Sequence, residues 1–216
     1  GEIPPVDERL PEEPLVIEPY ESIGEYGGTL TVGIMSASFR GDDIRMATGN
    51  PYGLRISKDT TSFVPNILKD AKMSDDFLSC TCTMRKGLKF SDGVPLTSAN
   101  IKWWYDNILL NTDLTPSISK WFAPGGETMG LEIIDDYTYR FTFAQPHPRF
   151  AMITMAHQSG FSDNNGFVPM HYLEQYHINY NDKANDLAKE AGFDFWYQLF
   201  GRKNDRALDV DRPRIE

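Results

Sequence analysis

The sequence predicts an α/β protein, and three stretches carry that prediction. Phe63 to Leu110 reads as a strand, a tight turn and then a capped amphipathic helix. Leu131 to Phe143 reads as a hairpin with one aromatic face, and Val168 to Phe200 reads as a run of short helices.

The elements follow in order. Residues 1–26 form an extended arm, because Pro4, Pro5, Pro11, Pro14 and Pro19 remove amide donors and oppose both helix and ladder. Gly27-Gly28 ends the arm, and Thr29 to Met35 reads as a strand with Leu30, Val32 and Ile34 on one face. Ser36 to Tyr52 is a polar connection. Leu78, Cys80, Cys82 and Met84 alternate with Ser79, Thr81, Thr83 and Arg85, which places the first set on a buried face and the second toward solvent. Asp92-Gly93 is a turn signal, since glycine supplies a positive φ and aspartate bonds its own backbone nearby. Thr97 then stands as the helix N-cap. Three residues on is Asn100 rather than an acid, which weakens the expected capping box. Ile101, Trp104, Tyr105, Ile108 and Leu109 make one apolar helix face, with Trp103 on the neighbouring face and partly open to solvent.

The hairpin turns at Asp135-Asp136, and Tyr137, Tyr139, Phe141 and Phe143 line one side of its second strand. Pro146 and Pro148 stop that strand. Arg149 to His157 is a short helix, Ser159 to Gly166 a loop, and Asp182 to Ala191 a helix closed by Gly192 at the C′ position. Phe193 to Phe200 is a third, aromatic helix. The tail from Gly201 has charge and proline without periodicity and reads as unstructured.

Composition excludes several classes. The net charge is −10, opposite to what a nucleic-acid binder needs. No apolar run approaches the roughly 20 residues that span a bilayer. Cys80 and Cys82 share a strand face with Cα atoms about 6.5–7 Å apart, so a disulfide would need distortion and buried free thiols are expected. A metal site there would need further ligands, and His147, His157, His171 and His177 have no metal-site spacing and suit surface or capping roles. Asp42-Asp43, Asp75-Asp76 and Asp135-Asp136 suit turns or solvated surface; a catalytic pair must face across a substrate. No nucleophile motif or phosphate loop is present, and no cofactor, metal ligand or catalytic residue is expected.

Taken together, Val64-Pro65-Asn66-Ile67, Ser74-Asp75-Asp76, Met84-Arg85-Lys86-Gly87, Phe90-Ser91-Asp92-Gly93 and Pro95-Leu96-Thr97-Ser98-Ala99 resemble the extracellular solute-binding proteins of the peptide-importer class, which serve ATP-binding-cassette transporters. Tyr26-Gly27-Gly28-Thr29-Leu30 and Pro169-Met170-His171-Tyr172-Leu173 extend the likeness. The resemblance implies a periplasmic-binding-protein-like α/β fold. In it residues 27–46 and 161–216 belong to lobe one and 47–160 to an inserted α+β subdomain. The second lobe is then absent and the chain is an N-terminal portion. It implies a monomer, outside the cytoplasmic membrane or lipid-anchored at a Gram-positive surface, with a small-molecule or peptide ligand and a membrane permease as partners. Oligopeptide is the leading ligand; oligosaccharide and a secreted glycan-active hydrolase domain are the alternatives.

Two kinds of position suit ligand contact. Loops past the carboxyl ends of strands face the crevice in open α/β lobes, which selects Ser36, Ala37, Ser38 and Phe39, and at the return crossing Ser159 and Gly160. Large rigid aromatics suit a cleft. Trp121 and Phe122, just before the Pro124-Gly125-Gly126 turn, are better placed for this than Trp103, Trp196 or Tyr197, and Trp104 belongs to the core.

Overall fold

The computed structural model describes residues 5, 10–19, 21–25, 27–29, 31, 52–151, 156, 166–205 and 208–215. The expected first strand, the helix from Arg149 and the Ser159–Gly166 loop fall largely outside them.

A four-stranded antiparallel sheet forms the centre. Its strands are β3 (Leu68–Met73), β4 (Ser79–Met84), β5 (Gly130–Asp135) and β6 (Thr138–Thr142), in the order β3-β4-β6-β5. A small hairpin of β1 (Leu54–Ile56) and β2 (Phe63–Pro65) precedes it. The expected alternation holds in β4 from Cys80 onward, while Leu78 lies ahead of the strand and is exposed. Cys80, Cys82 and Met84 are buried; across the ladder Cys80 faces Phe141 and Cys82 faces Tyr139, while Met84 pairs with Leu68 on β3. On the opposite face Arg140 donates to Thr81 Oγ1 at 3.2 Å and pairs with Glu132 at 3.0 Å. A shift of one residue in register would put these charges in the core. The thiols are free, with their sulfurs 3.8 Å apart. Burial drives the Cys82 thiol far above its ordinary range, so it is an inert core group rather than a nucleophile.

Helix α1 (Ser98–Trp104) continues through one π turn at Tyr105–Leu109. Ile101, Trp104 and Leu109 join the core as the periodicity predicts. Thr97 holds the N-cap position with extended backbone, and Asn100 Oδ1 accepts its amide at 3.0 Å. The capping turn is therefore not weakened by asparagine, which provides the acceptor an acid would. Its Nδ2 also donates to Val168 O at 3.0 Å, a bond that no carboxylate could make. Trp103 is 6% exposed, not partly open as expected. The following helices α2 (Met170–Leu173), α3 (Ala184–Glu190) and α4 (Trp196–Asn204) supply the cover. Phe200 stacks on Trp103 at 6.4 Å, and His177 and Tyr180 meet its other edges.

The tail is not unstructured over its described residues. Arg212 is buried, Ile215 bridges Phe90, and Ser91 N–H donates to Arg214 O at 2.7 Å. Asp209 accepts from Tyr172 at 2.6 Å and Lys203 at 3.1 Å. Burial opposes the charge on Asp209, but these two donors outweigh it and hold its pKa below the usual value. Sequence periodicity was blind to this segment because it is fixed by individual side chains and not by a repeating face. The N-terminal arm is also tied down: Lys69 pairs with Glu13 at 2.8 Å, and Arg85 donates to Glu13 O.

Candidate functional site

The site builds outward from Phe122. That ring packs edge-on against Trp104 at 5.6 Å and is buried, so it serves the core and does not face a cleft. Backbone bonds pin it on both sides: Phe122 N–H to Ser119 O at 2.8 Å and Met129 N–H to Phe122 O at 2.7 Å. Tyr105 Oη donates to Met129 O at 2.6 Å and fixes the second bond's partner to α1. With Phe122 turned inward, its neighbour Trp121 is left half-buried at the surface.

Trp121 lines a groove of about 690 Å³, shared with His147, the Pro124–Gly126 turn, Ile118, Lys120, Ala123 and Thr128. His147 holds the groove's parts together. Its backbone N–H donates to Phe77 O at 2.9 Å, which anchors it to the β3–β4 turn. Its Nε2 lies 3.2 Å from Trp121 O; a carbonyl only accepts, so Nε2 carries the proton. The imidazole lies parallel to the Trp121 indole, at 8° and 6.4 Å, and meets Phe143 and Phe150 edge-on. Sequence spacing gives His147 a surface or capping role, and its burial excludes the surface. The flanking prolines, Pro146 and Pro148, were the available signal that this backbone is held in one shape.

Gly125 takes φ +74°, and a Cβ there would stand 2.6 Å from Gln145 Cδ. Glycine thus allows both the turn and the close approach of Gln145. Lys120 Nζ stands 5.2 Å from the Trp121 ring centroid. Among the described residues the lining includes this cation, an imidazole and a threonine hydroxyl but no carboxylate, on a chain of net charge −10. Such an arrangement suits noncovalent recognition of a flat or apolar group.

Trp103, Trp104 and Trp196 are core residues, Trp196 lying 4.8 Å from the His177 ring. His177 is also fully buried, which excludes the surface alternative of the expected surface or capping role. Its Nδ1 accepts from Asn179 N–H at 3.2 Å and its Nε2 faces Asn107 O at 3.1 Å, which fixes the neutral form. Burial lowers its pKa. Asp76 and Asp135 cap their own turns, accepting from Leu78 and Tyr137 amides, and hydrogen bonds hold both below the ordinary carboxylate range. Asp42-Asp43, Ser36, Ala37, Ser38, Phe39, Ser159 and Gly160 lie outside the described residues. Among the described residues no group of three metal-ligating side chains could hold an ion, and no helix is long and apolar enough to cross a membrane.

Comparison with known proteins bears on this arrangement. Residues 62–192 match the model for bacterial extracellular solute-binding proteins, family 5, middle region. A periplasmic alpha-galactoside-binding protein of Rhizobium meliloti is 27% identical over 213 residues, covering 88% of this chain and 30% of the relative. Among solved structures, an oligopeptide-binding protein OppA superposes with a TM-score of 0.80 at 31% identity, over 98% of this chain and 32% of that one. The binding protein MelB of Agrobacterium fabrum, in complex with stachyose, gives 0.65 at 26% identity over 92% and 30%. The chain thus spans about a third of the length of these relatives, and its fold is the periplasmic-binding-protein-like fold that they share.

Proposed function

The chain belongs to the bacterial extracellular solute-binding proteins of family 5, and from that premise we propose that it is the ligand-capturing part of an importer's binding protein whose cargo is an oligopeptide. The family serves ABC importers and its members are periplasmic or extracellular. Two lobes would close around the ligand, with closed-state contacts providing the differential affinity that drives closure. Delivery to a membrane permease would follow. On this reading Trp121 faces ligand with Phe122 as its buried anchor, and Ser36, Ala37, Ser38, Phe39, Ser159 and Gly160 contribute from the crevice loops. The protein works as a monomer, either free outside the membrane or lipid-anchored at a Gram-positive surface.

The observation that carries the peptide assignment is the 0.80 superposition on OppA over 98% of the chain. A second reading, oligosaccharide capture, is favoured by the alpha-galactoside-binding relative and by the stachyose complex. A half-buried indole beside few polar groups serves either ligand. Thermal-shift screening of the full-length gene product separates them. Stabilisation by peptides of about two to six residues, with none by tri- and tetrasaccharides, is the expected result. Stabilisation by the sugars alone would overturn the peptide assignment and leave the capture mechanism standing.

A further inference from the structure

We propose that the Trp121 groove is a recognition site for a carboxylate carried next to an apolar side chain, formed by this chain alone. The inference rests on the reading of Trp121 as ligand-facing, and goes beyond it by naming the chemical group and by requiring no second lobe.

Three observations point the same way. Among the described residues the groove lining holds Lys120 and His147 but no carboxylate, although acids outnumber bases by 31 to 21 in the chain. An anion therefore meets one cation there and no opposing charge from the described lining residues. Lys120 is exposed, and its ammonium rests over the half-buried indole. An exposed contact of that kind is worth only about 0.5–1 kcal/mol. It can swing from the ring to an incoming carboxylate while an apolar group takes its place on the indole. The third observation is rigidity. His147 is buried, bonded through Nε2 to Trp121 O and through its amide to Phe77 O. The Trp121 backbone is thus held before a ligand arrives, with the imidazole parallel to the indole, so less ordering cost remains to be met on binding. Gly126 leaves the rim open, since a Cβ there would meet nothing within 4 Å.

Four tryptophans give four indole N–H signals in a proton–nitrogen correlation spectrum of the 216-residue chain. The Trp121 signal is identified by its loss in Trp121→Phe. The probes are N-acetyl-phenylalanine, its uncharged amide and maltotriose. The expected result is a saturable shift of the Trp121 signal with the acid. Binding should weaken roughly fivefold for the amide, or for the acid in Lys120→Gln, with recovery in Lys120→Arg. Lys120 is a surface residue, so the folded spectrum serves as its own control. Equal binding of acid and amide, no shift with either, or tighter binding of maltotriose would each overturn the proposal. The two-lobe reading is tested separately on the full-length product, so either can fail without the other.

Discussion

His177 shows how one residue's role escapes sequence reading. Its spacing from His171 suggests a surface or capping role, because nothing local marks it as buried. Its surroundings come mainly from two distant segments, Trp103 and Asn107 on α1 and its π turn and Trp196 and Phe200 on α4, with Tyr180 three positions on. Such a cage is tertiary and leaves no pattern in the neighbouring residues. It has a measurable consequence. The folded pKa lies below the ordinary 6.5 because burial disfavours the charged ring. The unfolded chain therefore binds the proton first as pH falls. The contribution is fully present above the ordinary value and is lost as pH drops toward the folded one. Urea midpoints between about pH 7.5 and pH 5 should decline, and decline less in His177→Phe. Equal slopes in both proteins would contradict the assignment. The acids held low by hydrogen bonds, Asp76, Asp135 and Asp209, begin to titrate only at more acidic pH and do not confuse the window.

At the scale of elements the sequence was most legible where a face repeats. The alternation in Cys80–Met84, the aromatic side of Tyr139–Phe143 and the 3.6-residue face of Ile101–Leu109 all appear as expected, because burial of a regular element imposes its period on the residues. The Asp92-Gly93 and Pro124-Gly125-Gly126 turns follow from residue chemistry, with Gly93 and Gly125 both at positive φ. What periodicity could not supply is how elements are joined. Asn100 is the clearest case: it caps α1 and also reaches Val168, 68 positions on. Asn100→Asp would keep the acceptor for Thr97 N–H, lose the donor to Val168 O and bury a charge. It should cost about 2–4 kcal/mol of unfolding free energy, against about 1–3 kcal/mol for Asn100→Ala. The reading is the denaturant midpoint at constant slope. A loss below about 0.5 kcal/mol in the aspartate variant would show that the bond to Val168 is unimportant.

For the molecule as a whole, the ordered series of short motifs was enough to identify the family, and the match over residues 62–192 agrees. The site was only half legible. Trp121 was singled out for its size and its place before a glycine turn, and it does line a groove; Phe122 carried the same signal and went to the core. Neighbouring residues point to opposite sides, and the sequence does not say which side is solvent. Lys120 and His147 were missed as lining residues because a lone lysine and a lone histidine carry no spacing signal. Ligand class is the finest distinction and the least visible, since a peptide binder and a sugar binder share this fold. The most direct test of peptide capture is native mass spectrometry of the full-length gene product as purified, beside the 216-residue chain. A set of bound masses matching short peptides on the full-length protein, at far lower occupancy on the shorter chain at the same concentration, is the expected result. Bound masses matching oligosaccharides would contradict the peptide assignment, and equal adducts on both chains would contradict capture between two lobes.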